Sequence, residues 1–363
     1  MPTALEIAIQ RNAPMSLGVL NQTLPAVPLF GIFDVRTTDK TRFKTLVIVG
    51  LPDVDPFVNL GDGFKRGKAV LALREFGCSY LGGQVVVQVD VANEWAAENK
   101  DLDFDYFTLQ AAKRIEGDLL KIEKQIIYGT ASGSAKGFPG IKQMTPGGAG
   151  MAANVLAMTE TADDTDFGKS VINVGGSTAN TASSIYSIRM GTLACQLVMG
   201  GTTQTGELFQ FGERRIQSLA PDPINKPDEL AEHEIAQYSG HIGLSVAGFS
   251  ASESAQIPGQ FVLRRAMNLT AQDGCGCDDY LLEKLFLSHP ENERPNVFAM
   301  SHRSGDQWAK SRRSTGSVVF VGNMGSGRDG VVNRAPQRPT EFDGIPVVYT
   351  RSIKNNDTIE VPS

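Results

Sequence analysis

The 363-residue chain has no long apolar run, little cysteine and no block of positive charge. Its longest hydrophobic stretches, Thr45 to Leu51 and Val85 to Val89, are strand-sized and fall well short of the ~20 residues that a membrane-crossing helix needs. The four cysteines, Cys78, Cys195, Cys275 and Cys277, are too few and too scattered for a disulfide framework in a chain this long, so a reducing cytoplasm is the default compartment. With a formal net charge of -6 and no basic block, tight sequence-independent binding to DNA or RNA through many phosphates is not expected. Glu6 and Arg11, followed by Pro14, Pro25 and Pro28, leave no basic segment ahead of an apolar core, so no secretion signal is expected. The Asn-x-Ser/Thr sequons at Asn21, Asn268 and Asn356 are accordingly read as chance.

What the chain does have is 41% hydrophobic and 20% charged residues, enough to bury one large core or two or three smaller ones. The most informative stretch joins a long Val-rich strand pair to one unbroken amphipathic helix, Asp105 to Tyr128. Phe104, Phe107, Ala111, Ile115, Leu119, Ile122 and Ile126 recur at spacings of three and four and form one apolar stripe, while Lys113, Arg114, Glu116, Asp118, Lys121 and Glu123 take the rest. At 1.5 Å per residue such a helix runs about 36 Å, the width of a small domain, and acts as a spine for other layers.

Ahead of the spine, Phe30 to Val35, Arg42 to Leu51, Lys68 to Phe76 and Ser79 to Asp90 read as strands, the last with Val85, Val87 and Val89 alternating against Val86, Gln88 and Asp90. Pro52 to Gly67, rich in Pro, Gly, Asp and Asn, makes a polar tip. A two-stranded ribbon of this length has too little apolar area to be stable alone, so it needs a neighbouring subunit. Residues 1 to 27 are Pro-punctuated and aperiodic, as suits an extended arm. Beyond the spine, Gly129 to Gly150 is loop-like with a turn at Gly137-Phe138-Pro139-Gly140. Ser183 to Met190, Ala194 to Met199, Ile242 to Ala247, Phe261 to Leu269, Val297 to Met300, Val318 to Val321 and Ile345 to Tyr349 read as strands. Pro221 to Asp228 and Ser250 to Gly259 are breaks. Asp278 and Asp279 open a helix that ends at His289-Pro290, and Gly305 to Arg313 forms another. The fold class is mixed α+β in more than one structural unit.

No catalytic constellation survives inspection. Gly325 to Gly330 spells GxGxxG, but Pro336 and Pro339 stand where a pyrophosphate-binding helix should begin and no βαβ unit surrounds it. The segment ending at Gly67-Lys68 misses a phosphate loop, with Asp62 at the first glycine and Ala69 for the Ser or Thr. His233 to Gln237 resembles a zinc-protease helix, yet Gln237 replaces the second imidazole, leaving a solvated acidic stretch. Cys275-Gly276-Cys277 lacks the second ligand pair of a zinc site. Ser245 echoes a hydrolase nucleophile turn within continuous strand, without the helix that must follow, and so reads as a pleated serine. His241, His289 and His302 are isolated, and Asp163-Asp164 and Asp278-Asp279 read as turn or cap residues. No catalytic, cofactor-binding or metal residues are assigned.

The order of pieces is more telling: an arm, a long β excursion, a spine helix, then a mixed remainder. Its local elements are Asp105-Tyr106-Phe107 through Tyr128-Gly129, the Gly137 to Ile141 turn, Ser184 to Gly191, Gly240 to Leu244, Leu263 to Leu269 and Phe342 to Ile353. In that order they resemble the major capsid proteins of tailed bacteriophages with the Hong Kong 97-type fold, over nearly the whole chain. The resemblance implies an N-terminal arm at 1–27, an extended β-hairpin loop at 28–98, a peripheral domain with the spine helix at 99–145, and peripheral strands at 205–272. It assigns 146–204 and 273–363 to an axial domain. It further implies a non-enzymatic shell subunit without cofactors that self-assembles into hexamers and pentamers around double-stranded DNA held weakly. Scaffolding, portal or decoration proteins are its further implied partners, no membrane is involved, and the setting is a virion assembled in the bacterial cytoplasm. The readings set against it are another virion component, such as a tail or portal protein, and an enzyme with a dispersed site.

Overall fold

A computed structural model of the chain describes residues 27–38, 41–50, 70–98, 105–130, 136–144, 155–158, 170–191, 194–200, 208–219, 231–246, 262–289, 294–314 and 338–360. Its elements, in order, are α1 (Pro28–Ile32), β1 (Val35–Thr38), β2 (Arg42–Gly50), β3 (Val70–Gly77), β4 (Ser79–Gln88), α2 (Val89–Glu98), α3 (Tyr106–Tyr128), α4 (Ile141–Met144), β5 (Val155–Ala157), β6 (Val171–Asn173) and β7 (Ser183–Ile188). They continue with β8 (Cys195–Gly200), β9 (Gln210–Phe211), β10 (Arg215–Leu219), β11 (Ala231–Val246), β12 (Leu263–Leu269), α5 (Asp279–Leu287), β13 (Val297–Met300), α6 (His302–Ser314), β14 (Glu341–Phe342) and β15 (Ile345–Tyr349). The expected arm up to residue 26, the tip Pro52 to Gly67, the breaks at 221–228 and 250–259, the strand at 318–321 and the glycine-rich 325–330 lie outside the described residues. The chain divides into two compact units, one drawn from Met1–Thr45, Arg74–Gly140 and Gln196–Ser245, the other from Leu46–Leu73, Ile141–Cys195 and Val246–Ser363.

The first unit is built on the 16-residue strand β11. β4 runs antiparallel along it from Ser79 opposite Ile242 to Gln88 opposite His233. β9 and β10 also pair with β11, and β1 lies parallel to β8. Period-2 alternation decides the faces: Val85 and Val87 pack with Ala236, Tyr238 and Phe107, while Val86 points out. His233 to Gln237, read from sequence as a solvated stretch, is instead the first half of β11, with His233 buried. Pairing on both sides, with Gln88 and Gln217 opposite His233, overrides the local polarity.

α3 is the expected spine, starting one residue later because Asp105 is its cap and accepts the Thr108 N–H at 2.7 Å. Its buried side is Phe107, Ala112, Leu119, Ile122, Glu123, Ile126 and Ile127, so the stripe is turned from the expected one and Ala111 and Ile115 are only half-buried. Glu123, expected on the polar side, is fully buried. Its carboxylate accepts the Phe30 N–H of α1 at 3.4 Å, and α1 has no capping side chain of its own. The acid therefore supplies an acceptor that a helix start lacks. α1 itself corrects the expected strand from Phe30: Pro28 presets a helical φ in the first turn, and strand begins only at Val35. α2 is a further departure from the expected elements. It begins at Val89, where strand was expected to run to Asp90, and Trp95 on it meets the ring of Tyr106 at 5.9 Å.

The second unit holds a seven-stranded mixed sheet in the order β14-β15-β13-β7-β12-β6-β5. One face presents Ile172, Ile185, Ala266, Phe298, Met300 and Val347 to Leu281, Leu282 and Leu285 of α5 and Trp308 of α6. α5 starts as expected, with Asp278 accepting the Leu281 N–H at 2.8 Å. Asp279 accepts from Trp308 Nε1 at 2.7 Å and Arg312 Nε at 2.9 Å, which ties α5 to α6. The opposite face carries the side chains of Ser184, Tyr186 and Arg265, for Arg265 pairs with Tyr186 in the register.

Candidate assembly surfaces

In the first unit the surface features begin at the root of the ribbon. Among the described strands, β2 and β3 pair only with each other. The root is fixed: Cys78 donates its N–H to Thr41 O at 2.9 Å, and the Arg36 guanidinium lies 4.4 Å from the Phe43 ring centroid. Gly243 of β11 passes so close that a Cβ there would sit 2.8 Å from Gly77 O. Burial pushes the Cys78 thiol up to about 11, so it stays protonated and unreactive at neutral pH. Leu73 of β3, which is grouped with the second unit, is 63% exposed.

β4 and β10 lie on opposite sides of β11, and neither has a further described strand on its outer edge. On the face of β4 turned from the spine, Tyr80 is 68% exposed with its ring edge-on to His241, and Val86 is also open. β10 exposes Ile216. Unpaired strand edges are where a sheet can take up a further strand, which makes β4 and β10 candidates for such pairing.

Behind these surfaces the spine is pinned to the sheet by charge. Arg214 bonds both Asp105 and Glu234 and lies 4.5 Å over the Phe107 ring. Burial alone would raise the Asp105 carboxyl, but the hydrogen bonds from Thr108 and Arg214 outweigh it and hold the group below the usual carboxylate range. The Tyr238 hydroxyl donates to Asp118 and accepts from Arg114 Nε at 2.9 Å. Burial first, then the Asp118 carboxylate, raises the Tyr238 phenol. To reach the spine, Tyr238 crosses Gly83, where a Cβ would lie 2.1 Å from the hydroxyl oxygen. The spine's exit is locked as well: Gly129 N–H donates to Gln125 O, Gly140 N–H to Gly129 O, and Gln125 Nε2 to Phe138 O at 2.7 Å.

The residues singled out in the sequence do not converge. Ser245 is buried in β11 and belongs to the first unit. Cys275 and Cys277 belong to the second, and burial, then Asp278 and Asp279, push the Cys277 thiol well up. His289 is fully buried with Nε2 2.8 Å from Ser187 Oγ, while His302 stacks on Tyr349 with its imidazole lowered by burial, Arg338 and Arg351. Among the described residues no three His, Cys, Asp or Glu groups gather as metal ligands, and no helix is long and apolar enough to cross a membrane. Arg214 and Tyr238, which hold the spine to the sheet, have no sequence motif, because Asp105, Arg114 and Asp118, to which they bond, lie more than 100 positions away.

No family model matches the sequence, and no curated protein matches it. Among solved structures it is similar to a chain of bacteriophage Epsilon15, with a TM-score of 0.52 at 12% identity over 92% of this chain and 88% of that one. Further similar chains come from the procapsid of bacteriophage JBD30 (TM-score 0.38, 11% identity, 94% of this chain and 100% of that one) and from the capsid of an empty GTA particle (0.35, 11%, 71% and 91%). At such identity the Epsilon15 match speaks to fold. The chain thus shares the mixed α+β fold of that Epsilon15 chain, and the expected likeness is supported at the level of fold.

Proposed function

We propose that the chain is the major capsid subunit of a tailed bacteriophage, with the Hong Kong 97-type architecture, assembling into hexamers and pentamers of an icosahedral shell around double-stranded DNA. In this reading the unit with the spine helix corresponds to the peripheral domain, the unit with the seven-stranded sheet to the axial domain, and the β2–β3 ribbon reaches over a neighbouring copy; β12, expected among peripheral strands at 205–272, then falls on the axial side, since it pairs between β7 and β6. The observation that carries it is that ribbon: two strands paired only with each other among the described strands, with Leu73 open, within a fold shared over 92% of the chain with a phage structure. An isolated hairpin is marginal in water, so its burial must come from elsewhere, and identical copies in closed symmetry supply it repeatedly. The mild negative charge suits a wall that should not grip the packaged genome. The role is structural rather than catalytic, set in the virion after assembly in the host cytoplasm, with scaffolding, portal or decoration proteins as further partners.

Electron microscopy and sedimentation of the purified protein test this. Capsomers or uniform hollow particles are expected; a stable monomer at high concentration refutes it, and rings or tubes alone would indicate a tail or portal component.

A further inference from the structure

β4 is a ten-residue strand, Ser79 to Gln88, with no Asp, Glu, Lys or Arg in its sequence. One edge bonds to β11, from Ser79 opposite Ile242 to Gln88 opposite His233, and no described strand pairs with the other edge. Alternation fixes its faces: Leu81, Val85 and Val87 lie on the spine side, while Tyr80, Gly82, Gln84 and Val86 point away and are exposed. Two of these outward side chains are large and apolar, Tyr80 at 68% exposure and Val86 at 44%. A Cβ on Gly82 would lie 3.2 Å from Cε1 of Tyr80, so the ring leans along the strand toward Val86.

The placing of these two residues selects the strand that covers both. In an antiparallel pair related by a two-fold axis, residues equally far from the axis on opposite sides face each other and share a face of the sheet. With the axis at Gly83, Tyr80 of each copy stands opposite Val86 of the other, so one contact, made twice, covers both side chains in both copies. On the spine side the same axis sets Leu81 opposite Val85. An aromatic ring against a β-branched residue is a favourable cross-strand pair, and like charges directly opposite are destabilising; an uncharged strand meets its own copy without that penalty. Gly82 and Gly83 keep bulk away from the axis itself. The shorter edges of the first unit fit less well, since β10 has five residues and β1 four, and either would leave at least half of β4 bare.

We propose that β4 of a second copy covers this edge, running antiparallel about a two-fold axis at Gly83 and joining the two sheets into one. This rests on the shell reading for its supply of identical copies, and it adds the surface, the partner strand and the register. Main-chain hydrogen bonds give the attraction along the edge. The pairing of Tyr80 with Val86 gives the register, because a slip of two residues either way sets Tyr80 opposite Gln84 or Gln88 and leaves Val86 without its aromatic partner.

Cysteine cross-linking of the full-length protein tests it. Tyr80→Cys and Val86→Cys fall at exposed positions about 20 Å apart along one strand, too far to bond within a chain, yet opposite each other across the pair. Under mild oxidation the two variants, assembled together, should give a disulfide-linked dimer on non-reducing gels, and either variant alone, which keeps the four native cysteines, should give none. In hydrogen exchange on the unmodified protein, the β4 amides turned away from β11 should exchange fast in dissociated subunits and lose that fast exchange on assembly. Particles that form without the linked dimer overturn the pairing and leave the shell reading standing. A linked dimer in protein that never closes shells supports the pairing and counts against the shell reading, and monomers without it overturn both. Outward β4 amides already protected in dissociated subunits would identify another segment of the same chain as the cover, which also overturns the proposal.

Discussion

Replacing Glu360 with glutamine removes the charge of the terminal segment while keeping nearly the same shape, so its effect on stability can be worked out from the site. Burial opposes ionisation of this carboxyl, but the hydrogen bonds and charges of Arg265 and Lys142 outweigh it and lower it from 4.5 to about 2. A fall of that size corresponds to about 3 kcal/mol of preferential stabilisation of the ionised folded state, at ~1.4 kcal/mol per unit. The group is depressed in the folded state, so the contribution is present in full above the unfolded value of 4.5 and is lost as the pH falls through the folded value of about 2. Glu360→Gln should therefore cost about 3 kcal/mol at pH 7, and more than half of that gap should close by about pH 3. Urea unfolding followed by Trp308 fluorescence in a Trp95→Phe background reports on the second unit, where Trp308 is fully buried. A cost below about 1 kcal/mol at pH 7, or one that does not shrink with acid, would refute the assignment of Arg265 and Lys142 as the source of the effect.

Other expectations concern the first unit and the assembly. Leu119→Ala, at a fully buried spine position, should cost about 2–5 kcal/mol by urea unfolding followed at Trp95, whereas Ile115→Asp at its half-buried position should cost less than Leu119→Asp. Gly83→Ala should cost about 1–3 kcal/mol by driving Tyr238 from its path to Asp118, and its cost should fall in a Tyr238→Ala background; full additivity would show that Gly83 and Tyr238 do not compete for space. Val86→Lys, on the open face of β4, should change stability by no more than ~0.5 kcal/mol yet reduce particle yield in micrographs. Replacing Pro52 to Gly67 by a short turn should leave the protein soluble and block closed shells; normal shells would remove the ribbon from the assembly scheme.

The sequence was most legible where one period governed a long segment. The spine declared itself through 23 helical residues with a capping aspartate, and the β4 alternation assigned Val85 and Val87 to the packed face. Short elements were less readable: a five-residue helix at Pro28–Ile32 has too few turns for periodicity to show, and its carboxylate acceptor lies 93 positions away at Glu123. The start of β11 was obscured for a related reason, since Glu234 looks solvated until Arg214, 20 residues earlier, is seen to pair with it. The ribbon could be anticipated because its insufficiency is a property of local composition and length. The Glu360 site could not, because Arg265 and Asn268 acquire their role only when β12 distorts and residues more than 90 positions away return to it.

Two of the edge strands in the first unit, β4 and β10, differ in how they are protected, and the difference bears on the proposed assembly. Natural sheets guard free edges with charge, proline or short length. β10 has five residues and begins with an arginine, so it is both short and charged. β4 has ten residues, Ser79 to Gln88, with neither a charged residue nor a proline among them, and its outer face carries the exposed Tyr80 and Val86. An edge of that length and composition invites pairing with any compatible strand. Under the proposed function, with identical copies crowded together, such an edge has to be covered in the working state. The ribbon joins this strand through the single residue Cys78, so the least protected edge and the least self-sufficient strands form one continuous feature of the chain. Covering both with neighbouring copies removes the hazard and supplies the missing burial in the same step.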